Sequence, residues 1–349
     1  MEIRTPAFWD LHIHGVSGID FMHASSREMI EACEVLGRHG IGAFAPTLLT
    51  ADPKLLEDAC ARWGRFLFEL SHAVASGGRD VFFSRTAAIP VGLHLEGPFL
   101  SPKMAGAHPA KRLRKPSLSY AWRLFERARG QIAIMTVAPE LPGAPELIRK
   151  LTRMGIRVQI GHTAAEAAVI NRACRCGATG VTHLFNAMMV HHRAPGVLSA
   201  LAQGRLTAEI ITDGIHVESE FLRYTASAIG SRLYGVSDAC SALGAPAQTA
   251  LTLGSLKVRR QGDAAYVGGA RAGLPSAPVL AGGATWLTSH PARLLRSWKR
   301  SQPTRLPSAA EVFPIFYRIP SRLFPRKARL IRHRGNRFRR SDWKFLGSY

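Results

Sequence analysis

Acidic residues are scarce in this chain: 24 Asp and Glu stand against 46 Lys and Arg, a formal net charge of +22 over 349 residues. Long hydrophobic runs are missing, which excludes a membrane-spanning helix. The amino terminus has no basic segment followed by an apolar stretch, so no secretion signal is expected and the expected location is the cytoplasm. Cysteine is sparse as well. The five present, Cys174 and Cys176 among them, show neither zinc-finger pairing nor the density of a disulfide framework, which fits reduced thiols. An excess of positive charge ordinarily points to nucleic acid or an anionic membrane. Here its distribution argues otherwise: from Arg296 to Tyr349 there are 15 Lys and Arg against 2 Asp and Glu, so a net +13 sits in the last 54 residues. The remaining +9 is spread over a much larger body, where it forms a mild field suited to a phosphorylated substrate.

What the chain does have is a series of strand-like apolar runs, each closed by a polar group. His12-Ile13-His14, His94-Leu95-Glu96-Gly97-Pro98, Gly161-His162-Thr163, Thr182-His183-Leu184, Asp213-Gly214-Ile215-His216 and Ser237-Asp238-Ala239 all have this form. Eight strands are expected, over 8–14, 43–48, 91–96, 132–138, 157–162, 180–184, 207–212 and 233–238. Between them, residues 26–39, 53–70, 117–129, 145–154, 164–176 and 219–229 carry helical apolar spacing with capping or turn signals. This alternation predicts an α/β fold, a (β/α)8 barrel, in which the carboxyl ends of distant strands meet on one face. Beyond about Lys257 the pattern fades into Gly-, Ala- and Pro-rich sequence, with one last helical-looking piece around 284–295. The expected organisation is a catalytic barrel over 1–295 and a basic tail over 296–349 with no assigned fold.

Residues two apart in a strand face the same side, so His12 and His14 are expected to point together at the barrel mouth while Leu11 and Ile13 face the other layer. With Glu96, His162 and His183 they make a nitrogen-and-oxygen ligand set suited to Zn2+ and also to Fe2+. A bound ion lowers the pKa of water to about 7 and polarises a carbonyl. An amide also needs a proton delivered to its leaving nitrogen, and Asp238, at the end of the eighth strand, is placed to carry it. The alternative for Asp238 is a helix N-cap.

With these motifs assembled, the chain resembles the N-acetylglucosamine-6-phosphate deacetylases of the amidohydrolase superfamily. DLHIHG, HLEGPFLSPKMAGAHP, TVAPELPG, GHT, THLFNAM, HHRAPG, DGIH and SDA occur in family order between about Pro6 and Lys257. The resemblance implies metal ligation by Glu96, His162 and His183, with His12 and His14 available to a second ion, hence one or two divalent ions. It implies Asp238 as base and acid, and His108 as partner of the acetyl carbonyl. It further implies a sugar phosphate met by Asn186, the Ala187 backbone, Arg193 and His216, with Ala107 along the sugar pocket, in a homodimer. Arg193 has an ordinary solvated loop charge as its bland alternative. Two departures stand out: the small β-sandwich that usually frames the barrel is largely absent, and the segment after Leu256 keeps only fragments, such as Ser289 to Leu295.

The expected activity is hydrolysis of the acetamide of N-acetylglucosamine 6-phosphate in amino-sugar catabolism. The alternatives are a related substrate such as N-acetylgalactosamine 6-phosphate, and a truncated inactive homologue. The tail is expected to be dispensable, its alternative being nucleic-acid binding that weakens with salt.

Overall fold

The computed structural model describes residues 3–75, 87–246, 249–267, 279–285, 287–290 and 335–338. Eight parallel strands, β1 (Phe8–Ile13), β2 (Ile41–Leu49), β3 (Leu93–Glu96), β4 (Ile132–Val137), β5 (Arg157–Ile160), β6 (Gly180–Val181), β7 (Thr207–Ile211) and β8 (Leu233–Val236), are hydrogen-bonded in sequence order. A short segment, Ile89–Pro90, pairs with β2 ahead of β3. The ladder between β1 and β8 closes at the carboxyl rim: the Asp238 amide donates to the His12 carbonyl at 2.9 Å, and the His14 amide to Ala239 at 2.6 Å. The buried carboxylate of Asp10 ties the same seam by accepting from the Ser237 amide at 3.1 Å. The nearly closed (β/α)8 barrel expected from the alternation is therefore present.

Among the described residues, seven α-helices alternate with the strands: α1 (Ser26–Arg38), α2 (Pro53–Ala75), α3 (Leu118–Arg127), α4 (Ala144–Arg153), α5 (Ala167–Cys176), α6 (Val197–Ala202) and α7 (Ser219–Ile229). Their starts follow local chemistry. Ser25 and Glu28 form a reciprocal capping box at α1, and α1 then buries Met29, Ala32, Cys33, Val35 and Leu36 along one stripe. In α4 the buried positions are Ala144, Leu147, Ile148 and Leu151. Each fully buried Leu or Ile contributes about 1.5–3 kcal/mol by leaving water. Helix α6 has no counterpart among the expected helices, since six residues are too few to show a period.

Inside the barrel lie Trp9, Leu11, Ala43, Ala45, Ile134, Ile211, Tyr234 and Val236, whereas Ile13 belongs to the larger cluster between barrel and helices. The expectation that Leu11 and Ile13 share a layer is thus corrected. The β1–β2 ladder shifts register between Asp10 and Ile13, which breaks the strict period of two. All five cysteines are free. Among the described residues no helix is long and apolar enough to cross a membrane.

The sequence beyond Lys257 is more regular than its composition indicates. Leu251–Leu253, Leu256–Gln261, Ala264–Val267 and Val279–Gly283 form a four-stranded antiparallel sheet. In its second strand only Val258 is buried while Lys257, Arg259 and Arg260 are exposed, so no alternating pattern is legible. The last strand zips onto the end of β8: Gly283 donates to the Asp238 carbonyl at 2.8 Å. Gly282, at φ +108°, sits where a Cβ would collide with that carbonyl. From the helical-looking piece, Leu287–Ser289 is a single 3-10 turn and residues 291–295 lie outside the described set. Buried His290 pins this segment to the end of β7 through Thr212 Oγ1 at 2.7 Å and to Thr285 Oγ1 at 2.9 Å.

Within the basic tail, Gly335–Phe338 pairs antiparallel with Ile3–Pro6. Ending the chain near Arg296 strips Ile3–Pro6 of this ladder, and with each hydrogen bond worth about 1 kcal/mol the melting temperature is expected to fall by several degrees. A melting curve identical to that of the full chain would show that the pairing contributes nothing.

Candidate metal centre

The site residues stand just past the strand ends, in a backbone conformation that L-residues rarely adopt. His162 (φ +48°), His183 (φ +27°) and Asp238 (φ +47°) all lie in the left-handed region. This explains why β5, β6 and β8 end sooner than expected, at Ile160, Val181 and Val236. The chain leaves the ladder to turn these side chains into the barrel mouth, a local cost held by the surrounding packing. After β3, Gly97 at φ +93° makes the equivalent turn, and a Cβ there would collide with Thr50 Oγ1.

Glu96 is the hub. Its Oε1 lies 2.8 Å from Nε2 of both His162 and His183. Its Oε2 lies 3.2 Å from His108 Nε2, 3.3 Å from His14 Nε2 and 3.6 Å from His12 Nε2. Asp238 Oδ1 is 3.3 Å from Nε2 of both His12 and His14. All five imidazoles are buried, and Asp238 is the most open member, its side chain 14% exposed. Burial opposes ionisation of Glu96, but the imidazoles around it, His108 and His12 foremost, outweigh it and hold its pKa well below the usual carboxylate range.

The hydrogen bonds decide which lone pairs face inward. His162 Nδ1 donates to the Met104 carbonyl at 2.8 Å, so the neutral ring leaves a lone pair on Nε2, aimed at Glu96. Burial, with the neighbouring His108 ring, pushes the His162 pKa down to about 4, so no second proton bridges the two acceptors at neutral pH. Nδ1 of His183 is buried without a partner. Two acceptors at 2.8 Å call for a cation between them, and the donors fit a divalent metal bound by imidazole and carboxylate. At the other end, burial lowers the His12 and His14 pKa values, but Asp238 and Glu96 reverse the sign: His12 goes well above its ordinary value and His14 to about 9. The negative cluster draws in protons where it lacks a metal.

Above the cluster opens a cavity of about 190 Å3, lined among others by Ala107, His108, Asn186, Ala187, His216 and Asp238. Leu253 and Leu280 of the C-terminal sheet complete its wall.

No family model matches the chain. Individual proteins do. Over 282 residues it is 36% identical to the N-acetylglucosamine-6-phosphate deacetylase of Danio rerio, an alignment covering 77% of this chain and 65% of that protein. It therefore spans about two thirds of the length of the curated relatives it matches. N-acetyl-D-glucosamine-6-phosphate deacetylase of Mycobacterium smegmatis, solved as a variant with N-acetyl-D-glucosamine-6-phosphate, superposes with a TM-score of 0.75 at 29% identity, over 93% of this chain and 78% of that one. The chain belongs to the N-acetylglucosamine-6-phosphate deacetylase family of amidohydrolases. A further relative, the N-acetylgalactosamine-6-phosphate deacetylase of Escherichia coli O157:H7, is 30% identical over 247 residues, 70% of this chain and 62% of that protein.

Of the residues singled out from the family motifs, Glu96, His162, His183, His12, His14, His108 and Asp238 converge within one cluster. Ala107, Asn186, Ala187 and His216 border its cavity. Arg193 does not: it lies in an exposed turn closed by the His191–Ala194 bridge, its amide donating to His191 Nδ1 at 3.3 Å. Asp238 caps no helix, since Ser241–Gly244 form turns, which removes the N-cap alternative.

The sequence reading of this family member passed over several contributors. Asp213 accepts from His216 Nδ1 at 2.7 Å and from the amides of Ile215 and His216. Glu209 accepts from His12 Nδ1 at 3.1 Å, His94 stacks edge-on to His12 at 4.7 Å, and the Thr50 amide donates to His108 Nδ1 at 3.3 Å. The available signal was a lone carboxylate in the apolar strand Thr207–Ile211, in phase with Asp213 by the period of two.

Proposed function

We propose that this chain hydrolyses the acetamide of N-acetylglucosamine 6-phosphate to glucosamine 6-phosphate and acetate, with one or two divalent ions, Zn2+ or Fe2+, held by Glu96, His162 and His183 and by His12 and His14. The observation that carries this reading is the acceptor–acceptor approach of Glu96 Oε1 and His162 Nε2 at 2.8 Å, with His183 Nε2 at the same distance from Glu96 and Asp238 opposite on the same cavity. A divalent ion there supplies Lewis acidity toward the amide carbonyl and lowers the pKa of water.

The remaining steps belong to the chain. His108 Nδ1 accepts the Thr50 amide, so its proton sits on Nε2 and faces the site, where it donates to the acetyl oxygen as charge builds there. Asp238 is ionised: burial raises its pKa, but in the ion-free cluster the charge of His12 and the hydrogen bond from His14 hold it well below the usual range, and a bound divalent ion would favour the same carboxylate. It takes a proton from the attacking water and returns it to the leaving nitrogen, which departs as the amine of glucosamine 6-phosphate.

His216 meets the anionic end. Burial lowers its pKa, yet the hydrogen bond and charge of Asp213 raise it above the ordinary value, and its Nε2 is buried without a partner on the cavity side. A protonated ring has a free N–H there for a phosphate or sugar oxygen, beside Asn186 and the Ala187 backbone. The raised pKa keeps the imidazolium above pH 6.5 and loses it as pH climbs through the folded value. Asp213→Asn is expected to bring that loss to lower pH, raising KM for the phosphorylated sugar at neutral pH with a smaller change in kcat. A KM–pH profile superimposable on that of the parent would remove His216 from the anion site.

A homodimer, with Arg193 presented to the neighbouring subunit, accounts for this arginine standing outside its own cavity. Exposed Ile215, Phe221, Tyr224 and Met189 supply apolar surface for such a contact. The setting is amino-sugar catabolism in the cytoplasm. The relative from Escherichia coli O157:H7 favours one second reading, the C4 epimer N-acetylgalactosamine 6-phosphate. Acetate release from each phosphorylated sugar, with Zn2+ or Fe2+ and then with a chelator, tests the proposal. Release from neither sugar by the metal-loaded protein would overturn it.

A further inference from the structure

Glu209 is a fully buried carboxylate in the middle of β7, below the cavity and absent from its lining. Its Oε1 accepts two bonds, from Gln159 Nε2 at 2.8 Å and from the Tyr234 hydroxyl at 3.3 Å. That arrangement fixes the rotation of the carboxylate and turns Oε2 toward His12 Nδ1, 3.1 Å away. A carboxylate oxygen only accepts, so the neutral His12 ring, the form that binds a metal, carries its proton on Nδ1 and leaves a lone pair on Nε2. That Nε2 lies 3.2 Å from His14 Nε2 and 3.3 Å from Asp238 Oδ1. The ring cannot tilt away, because His94 packs edge-on against it. His94 is locked in turn, by the Leu11 carbonyl at 3.1 Å and Thr136 Oγ1 at 2.8 Å.

The other rings lack such a partner. His162 is oriented by a backbone carbonyl, while Nδ1 of His183 and of His14 are buried with no hydrogen bond. Among the described residues, His12 is the member of the cluster backed by a carboxylate on its outer nitrogen. A carboxylate behind a ligating imidazole fixes its tautomer and raises its basicity. It also places a further negative charge, besides those of Asp238 and Glu96, one ring away from the space between His12, His14 and Asp238.

We infer that Glu209 is a positioning residue: by holding the His12 ring with its Nε2 lone pair inward, it makes His12, His14 and Asp238 a distinct second cation position. This rests on the metal-dependent reading above and extends it to a group that touches neither substrate nor ion.

The test is metal binding without substrate. Apo protein is titrated with Zn2+ against a chromophoric chelator, and with Co2+ to follow its visible absorption, for the parent, Glu209→Gln, His14→Ala and the double variant. The parent is expected to take two equivalents. Glu209→Gln is expected to weaken the second by ~10- to 100-fold and leave the first unchanged, with the Co2+ bands of the second equivalent lost. In the His14→Ala background, where the second position is already gone, adding Glu209→Gln should change nothing further. The inference is overturned if Glu209→Gln binds both equivalents as the parent does. It is also overturned if both equivalents weaken together with an equal further loss in the His14→Ala background, the mark of a structural role. A parent that binds one equivalent overturns this inference and spares the deacetylase reading, whereas a parent that binds none overturns both.

Discussion

Replacing Glu96 by alanine is expected to leave the purified protein without its divalent ion and without measurable acetate release. Its two oxygens face the Nε2 atoms of all five clustered imidazoles, at 2.8 Å for His162 and His183 and 3.2 to 3.6 Å for the others. Without it, the buried rings surround a space with no negative charge on that side, and a divalent ion loses its central ligand. The effect should exceed the ~10- to 100-fold loss of affinity typical of removing a group one shell further out. His183→Ala should follow the same course. His12→Ala should be milder if one ion suffices, since its contact to Glu96 is the longest of the five. Elemental analysis of the purified variants decides the matter: full occupancy and activity in Glu96→Ala would sink the ligand assignment.

Asp238→Asn is expected to keep the ion held by Glu96, His162 and His183 and the affinity for substrate while lowering kcat by at least ~100-fold, as for removal of a positioned acid–base group. The amide preserves volume and can still accept from the His14 ring, so the nearby geometry survives. What disappears is the ability to take a proton from water and hand it to the leaving nitrogen. The strained backbone at this residue, the hydrogen bond from its amide to the His12 carbonyl and the grip of Gly283 on its own carbonyl all hold the carboxylate against the cavity. Near-normal turnover in this variant would reduce Asp238 to a local structural role.

Much of this was legible in order along the chain. Polar residues at the ends of apolar runs marked the catalytic rim because a parallel barrel gathers carboxyl ends on one face. The family motifs pointed to His108, Asn186 and His216, which border the cavity, and to Arg193, whose turn lies outside it. The C-terminal region was less legible. Its strands are short, its buried positions few, and its glycines at 282 and 283 serve contact with the β8 terminus, so composition alone read as loop. The pairing of Gly335–Phe338 with Ile3–Pro6 joins segments at opposite ends of the chain, beyond any local period.

The residue order of this protein was enough to establish the alternation of strand and helix and to set the clustered imidazoles and carboxylates at the strand ends that carry them. Those properties are local: a period of two or of 3.6 and a donor type are written in neighbouring residues. Tertiary structure alone decided which atoms meet. His12 and Glu209 are 197 positions apart, and no spacing rule joins them; they touch because barrel closure sets β1 and β7 on either side of β8, with both side chains buried. The same closure turned a carbonyl from Met104 and an amide from Thr50 into the groups that set the protons on His162 and His108. A buried imidazole has one neutral proton and two nitrogens, and what stands behind the ring determines which nitrogen faces the chemistry.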